Sequence, residues 1–344
     1  MKLGVNLVYQ GAGALAREAE RLGYAIALAP EGYKSDAPSV LGYVAAQTER
    51  IALASGVMQI PGRTPAMAAL TAATLDSLSG GRFRLGLGVS NPDVADGWYG
   101  ATFDKPLART REYVAIVRAA FLGAPVRYEG EHYPLPLSGE TQAPLHLFTE
   151  PLRTDLPVYL AAVGPKNLQL AGEIADGWIG VFTSPEMVKA AVDNIRTGRA
   201  RAGRDMDTFD VLPCLATSIA DDPQAAADAL RAHFVYLLGI GDPKHNFYCT
   251  MATQLGFERA VADLHDRLRD GDRAGAAAAI PFEFIDATSL VGSVDRIAGR
   301  MREYAAAGVT TLGIMVSAAA TTLDGRLSII RQAALALERS GVDH

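Results

Sequence analysis

A closed (β/α)8 barrel, an α/β fold, is what this sequence predicts, and three observations predict it. Short apolar runs alternate with longer segments whose apolar residues recur at three and four positions, the pattern of a parallel sheet covered by helices. Eight such strand-helix units can be counted in one chain, where an open sheet of this length more often declares a second domain. The 344 residues suffice to bury one large core.

The chain opens on the strand KLGVNLV and the helix ALAREAERLG, whose apolar face has helical spacing and which Gly23 terminates. YAIALAP is the second strand and APSVLGYVAAQTER the second helix, with Asp36 as its N-cap ahead of Pro38. IALASGVMQ, a helix from about Thr64 to Ser79, RFRLGLGV and the helix LARTREYVAIVRAAFLG follow. Residues 124–155 break the rhythm: VRYEGEHYPLP reads as a small hairpin turning at Glu129-Gly130, and its proline-rich continuation reads as loop. The alternation resumes with PVYLAAV, a helix through NLQLAGEIA, GWIGVF, a helix from about Pro185 to Ala202 and FDVLPCLATSI. Residues 222–290 hold several helical patterns without a clear strand and read as a second insertion. AAGVTTLGIMV and LDGRLSIIRQAALALERSG complete the eighth unit. The expectation is one barrel domain over 1–344, with insertions near 124–155 and 222–290.

With 49% hydrophobic and 20% charged residues and no apolar run long enough to span a bilayer, the composition predicts a protein that works in water, with no membrane partner. MKLGVNLVYQG is interrupted by Asn6 and is too short for a signal-peptide core. Cys214 and Cys249 are the only cysteines, too few for a disulfide framework or a Cys-based zinc site, so a cytoplasmic location and two buried thiols are expected. Net charge is −6, from 38 acidic and 32 basic residues without a basic block, which argues against nucleic acid as a partner. IRTGRARAGRD at 195–205 reads as a solvated helix end. No histidine pair or Cys/His spacing fits a metal, and no GxSxG elbow is present.

The stretch GGRFRLGLGVSNPD, 80–93, raises a dinucleotide-loop reading, which fails on two counts. Asn91 stands where that fingerprint needs a third glycine, and Pro92, Asp93 and DGWYG read as loop rather than as the helix that receives a pyrophosphate. In a barrel the chemistry sits after each strand. Those segments are APEGYKSD, SGVMQIPGRTP, GVSNPD, AAVGPKN and VFTSPE, rich in Gly, Ser, Thr and Asn and poor in ionisable groups. Such a set suits a polar heterocycle and a phosphate better than hydrolysis. Gly164 permits close backbone approach, and Pro165 suits a first helical turn whose amides hold an anion. Glu31 is a candidate for cofactor contact or proton transfer; Asp36 either caps its helix or binds ligand; His245 lies in an insertion placed to fold over the mouth.

Together these segments resemble the bacterial luciferase-like superfamily, and within it the oxidoreductases that depend on the deazaflavin coenzyme F420. The resemblance rests on ALTAATLDSLSGGRFRLGLGVS (69–90), FDKPLARTREYVAIVR (103–118), PVYLAAVGPKNLQLAGEIADGW (157–178), and IDATSLVGSVDRI with AGVTTL, in family order over nearly the whole chain. It implies a TIM-like barrel with insertions, the cofactor across the strand C-termini, and a homodimer. It also implies a bulge with a non-prolyl cis peptide at Ser55, Gly56 and Val57 behind the ring. Ser90 and Asn91 would lie beside the cofactor, Ala161, Ala162, Val163 and Gly164 would meet its phosphate side through backbone, and Thr183 and Ser184 would stand nearby. Members that oxidise sugar phosphates carry an Asp-His pair after strand two, a Glu after strand four and a Lys after strand six. This chain has Pro30-Glu31, Asn91 and TSPEMV there, so a sugar phosphate is not the expected substrate.

The function the resemblance implies is reduction by F420. Hydride from C5 would pass to an electron-poor C=C or C=N of a small organic substrate, with a proton from Glu31, Tyr33, Tyr99 or water. Asp36, Trp98 and His245 would contact the substrate. The alternatives are an FMN-dependent monooxygenase of the same superfamily and a barrel that binds a cofactor or metabolite without turnover.

Overall fold

Every ladder pairing in the sheet is parallel, and the sheet closes on itself. The computed structural model describes residues 1–32, 35–137, 143–149 and 151–342. Its strands are β1 (Lys2–Asn6), β2 (Ile26–Ala29), β3 (Ala52–Ser55), β4 (Met58–Gln59), β5 (Phe83–Gly88), β6 (Val158–Ala161), β7 (Gly177–Val181), β8 (Asp210–Ile219), β9 (Ser289–Gly292) and β10 (Thr311–Met315). The barrel runs β1-β2-β3-β5-β6-β7-β8-β10, and β10 returns to β1 with Thr311 opposite Lys2. This is the TIM-like barrel that the alternation predicts.

Two short strands lie off that circuit. β4 resumes after the β3 bulge and pairs with β5, Met58 opposite Leu87. β9 pairs with the distal part of β8, Ala216 to Ile219, beyond the point where β10 pairs with it. The sequence reading of 222–290 as helix without strand is therefore corrected at its end: Ser289 opens a strand. Before it come six helices among the described residues, from Pro223–Asp228 to Phe282–Thr288, packed around their own core of Phe234, Leu238, Leu264, Phe284 and Ile285.

Side-chain alternation sorts the strands into two faces. Val5, Ala27, Leu53, Leu85, Leu160 and Ile314 pack outward with the helices, whereas Ile26, Leu28, Ala54, Tyr159, Ile179, Leu212 and Cys214 form a separate interior cluster. At the N-terminal end that interior becomes polar. The Tyr159 hydroxyl donates to Asp210 Oδ2 at 2.8 Å, Thr311 Oγ1 donates to Asp210 Oδ1 at 2.8 Å, and Arg84 donates to both Tyr159 and Asp210. Burial, then the Asp210 charge, pushes the Tyr159 phenol above its usual range, so it stays a donor. This hydrogen-bonded network lies at the end remote from the strand C-termini.

Helix starts follow their caps. Asp36, Thr64, Asn91 and Ser184 each accept a backbone N–H in the first turn of a helix that begins at the next residue, with Pro in its first turn. Asn91 thereby corrects the reading of 92–97 as loop: Pro92–Gly97 is a short helix. The expected hairpin in the first insertion is also smaller than read. Among the described residues its pairing is one antiparallel bridge, Tyr128 to Leu135, and the turn is held by Glu112, which accepts the backbone N–H groups of Glu131, His132 and Tyr133. In the basic stretch 195–205, Arg199 is buried rather than solvated, with its guanidinium 5.2 Å from the Phe209 ring centroid.

The first and last helices, Ala12–Arg21 and Leu323–Ser340, are joined by Glu18, which accepts from Arg21 at 2.7 Å and from Arg331 at 2.6 Å. The Arg21 bond first, then the Arg331 bond, hold its carboxyl at about 2, against a smaller opposing effect of burial. A carboxyl depressed in the folded state stabilises fully above its unfolded pKa and loses that contribution as pH falls through the folded value. Urea unfolding is expected to show this contribution complete above about pH 5 and fading toward pH 2. In Glu18→Gln the same acid limb should be shallower; an identical limb would remove Glu18 from the account.

Candidate active site

The bulge after β3 organises the barrel mouth. The Gly56–Val57 peptide is cis, at the place the family resemblance indicates. Ser55 is fully buried, and its hydroxyl bridges to β5: Oγ donates to the Gly86 carbonyl at 2.8 Å and accepts the Gly86 N–H at 2.9 Å. It replaces the ladder bonds that the bulge interrupts. The two glycines of GLG are explained by the same bulge. A Cβ on Gly86 would lie 2.0 Å from the Ser55 carbonyl oxygen, and one on Gly88 would lie 2.6 Å from Val57 Cγ2. These glycines make room for a neighbouring strand, not for a pyrophosphate.

Glu31, just after β2, is held from three directions. Its side chain is 6% exposed, and Arg63 Nη1 lies 2.6 Å from Oε1. The Ala37 N–H donates to Oε2 at 3.2 Å and the Gln59 N–H to Oε1 at 3.4 Å, while Gln59 Nε2 donates to the Glu31 carbonyl at 3.2 Å. The carboxylate therefore ties the β2 loop to β4. Asp36 accepts the Ser39 N–H at 2.9 Å as the cap of helix Ala37–Ala45. Burial raises its pKa, but the bonds from the Ser39 amide and hydroxyl and the Arg63 charge outweigh this and hold it below the usual value. Tyr33 lies outside the described residues.

After β5, Ser90 has positive φ and Asn91 Oδ1 caps Val94 N–H at 2.9 Å. Trp98 is 63% exposed, and Tyr99 packs its ring against Gly62, where a Cβ would be 2.9 Å from Tyr99 Cε1. Beside them a cavity of about 550 Å3 opens between the heads of helices Pro65–Leu78 and Pro106–Phe121, lined in part by Ile60, Arg63, Val89, Phe103, Arg109 and Tyr133. The helical insertion reaches this rim. The Asp242 N–H donates to Asp93 Oδ2 at 3.1 Å, and His245 Nδ1 lies 4.0 Å from Asp93 Oδ1. Asp93→Ala is expected to speed amide exchange through residues 240–247 without a global loss of protection; exchange equal to the wild type there would show that Asp93 does not hold the insertion.

After β6, Ala161 is half-buried, Ala162 is buried with its carbonyl accepting from Trp178 Nε1 at 2.8 Å, and Val163 and Gly164 are exposed. Gly164 is the N-cap of helix Pro165–Ile174, and a Cβ there would meet nothing within 4 Å. After β7, Phe182 has positive φ and packs on Phe234, Phe284 and Tyr248 of the insertion. The Thr183 carbonyl accepts from Tyr304 at 2.7 Å, and Ser184 caps helix Pro185–Arg201.

Four buried polar atoms near the strand ends have no hydrogen-bond partner among the described residues: Asn6 Oδ1, Gln59 Oε1, Thr183 Oγ1 and Ser289 Oγ. Sequence reasoning singled out Thr183 and missed the other three. Asn6 was legible as the polar residue within the apolar run LGVNLV; Gln59 and Ser289 carried no distinguishing pattern. Among the described residues no three His, Cys, Asp or Glu side chains gather as metal ligands would, and no helix is long and apolar enough to cross a membrane.

The family described as luciferase-like monooxygenase matches residues 3–311. A putative coenzyme F420-dependent oxidoreductase of Mycobacterium tuberculosis is 39% identical over 338 residues, covering 94% of this chain and 97% of its own. A 5,10-methylenetetrahydromethanopterin reductase of Archaeoglobus fulgidus is 33% identical over 277 residues, 79% of each chain. The structure of the coenzyme F420-dependent tetrahydromethanopterin reductase of Methanopyrus kandleri superposes with a TM-score of 0.84 over 97% of both chains, at 24% identity, a likeness of fold.

Proposed function

The chain belongs to the luciferase-like monooxygenase family, and from that premise we propose that it is a coenzyme F420-dependent reductase of a small organic substrate. The observation that carries this reading is the 39% identity to an F420-dependent oxidoreductase over almost the full length of both chains. The donor set fits the cofactor. A deazaflavin is a flat heterocycle edged with N–H and C=O groups, and the mouth offers buried amide and hydroxyl atoms without protein partners.

Gly56 and Val57 would back the ring, with Ser55 acting through the bulge it fastens. Ser90 and Asn91 would flank it, Ala161, Ala162, Val163 and Gly164 would receive the phosphate-bearing chain at the head of helix Pro165–Ile174, and Thr183 and Ser184 would close that side. When bound, the reduced cofactor supplies a hydride from C5 to an activated C=C or C=N. The protein's own part is to position that carbon and exclude water. Since two backbone N–H groups and an arginine already engage the Glu31 carboxylate, we assign it to holding the mouth together and assign the proton to Tyr33, Tyr99 or water. Asp36, Trp98 and His245 would border the substrate. We also read the chain as one barrel domain with insertions near 124–155 and 222–290, a homodimer working in the cytoplasm.

The test is a titration of purified protein with oxidised F420 and, separately, with FMN, followed by absorbance. Micromolar F420 binding with much weaker FMN binding supports the reading. Tight FMN binding without F420 binding would replace it with the FMN-dependent monooxygenase.

A further inference from the structure

Asn6 ends β1 at the barrel mouth and faces the interior. Gly4 shows the parity: its Cβ would meet Ile26 Cγ2 at 2.8 Å and Leu28 Cδ1 at 3.3 Å, both members of the interior cluster, and side chains two residues apart share a face. Asn6 is 9% exposed. It stands opposite Leu28 on β2 and Met315 on β10; Met315 stands opposite Ala216, and Ala216 opposite Ser289. Two of the partnerless polar groups thus share one rung of the sheet.

The Asn6 carboxamide oxygen is buried and has no hydrogen-bond partner among the described residues. Such an atom costs about 1–3 kcal/mol unless something donates to it. At the opposite end of the same barrel Asp210 accepts from Arg84, Tyr159, Thr310 and Thr311.

We propose that Asn6 is a cofactor-binding residue of the barrel floor, its Oδ1 accepting a hydrogen bond from the pyrimidine N–H of the deazaflavin ring. This rests on the F420 reading and adds to it a residue that none of the strand-end loops contains. A carboxamide oxygen accepts only, so the group it receives must be a donor, and in the ring's pyrimidine edge the carbonyls cannot serve.

Leucine at this position separates a ligand-binding residue from a structural one, because the two roles predict opposite effects in the free protein. Asn6→Leu removes an unsatisfied polar atom at similar volume, so its unfolding midpoint without ligand should equal or exceed that of the wild type. Its affinity for oxidised F420, measured by absorbance titration, should fall at least about tenfold, the loss of one buried hydrogen bond. Asn6→Asp keeps an acceptor oxygen and should bind within about threefold of the wild type. Wild-type affinity in Asn6→Leu overturns the inference alone, as does weak binding accompanied by a lowered midpoint. Failure of the wild-type chain itself to bind F420 overturns the functional reading and this inference with it.

Discussion

Gly86→Ala is expected to destabilise the protein by about 3 kcal/mol or more and to abolish F420 binding with it. In an ordinary strand the same change is favourable by roughly 0.5–1 kcal/mol, because alanine loses less backbone freedom on folding. Here the sign is set by space. The new methyl would lie 2.0 Å from the Ser55 carbonyl oxygen and 3.1 Å from Ile179 Cδ1. The oxygen is backbone, and Ser55 cannot retreat without breaking its two bonds to Gly86, the pair that seats the bulge. Urea unfolding measures the loss, and a soluble variant can be titrated with F420. Gly88→Ala is the milder comparison, since the nearest atom is a side-chain methyl of Val57 at 2.6 Å. A Gly86→Ala protein as stable as the wild type would mean that the bulge is seated by something other than this contact.

Arg153→Ala is the second large loss, at about 3 kcal/mol. Asp76 lies in helix Pro65–Leu78 with its side chain 1% exposed. Arg153 reaches it with Nη2 at 2.7 Å from Oδ1 and Nε at 3.2 Å from Oδ2, and the Phe83 N–H donates to Oδ1 at 3.3 Å. Removing the arginine leaves a buried carboxylate with one weak partner. Arg153 also anchors the return of the 124–155 insertion to the foot of β5, so its removal should speed amide exchange in 143–155 as well. Asp76→Asn in the same background should recover part of the stability by deleting the stranded charge. Arg196→Ala is the control: its pair with Asp193 is exposed on both sides, and the change should cost less than about 0.5 kcal/mol. Equal midpoints for Arg153→Ala and Arg196→Ala would show that the buried pair contributes nothing.

The barrel was legible in the sequence because its strands are buried on both faces and its helices on one, which writes two different periods into the chain. Helix starts were legible for a local reason, the cap followed by proline at Asp36, Thr64 and Ser184. The same signature stands at Asn91-Pro92-Asp93, but the helix there is one and a half turns long and has no apolar period to announce it. β9 escaped because four residues carry no alternation and because its partner is an overhang of β8 that no local pattern marks. The bulge site came from resemblance to a family rather than from Ser55, Gly56 and Val57 themselves. Glu31 could be placed at the mouth but not paired, since its arginine is 32 residues away. Asn6 is the instructive miss. A polar residue inside an apolar strand is visible, but whether it faces helices or barrel interior is settled only by the strand's register with its neighbours.

The network of Arg84, Tyr159, Asp210 and Thr311 has a meaning beyond the stability of that end. Beyond it Ile26, Leu28, Ala54, Ile179, Leu212 and Cys214 pack the interior, so the barrel is a solid pedestal rather than a channel. A pedestal offers only its top: the segments after the strands can change what they hold without rebuilding what they stand on.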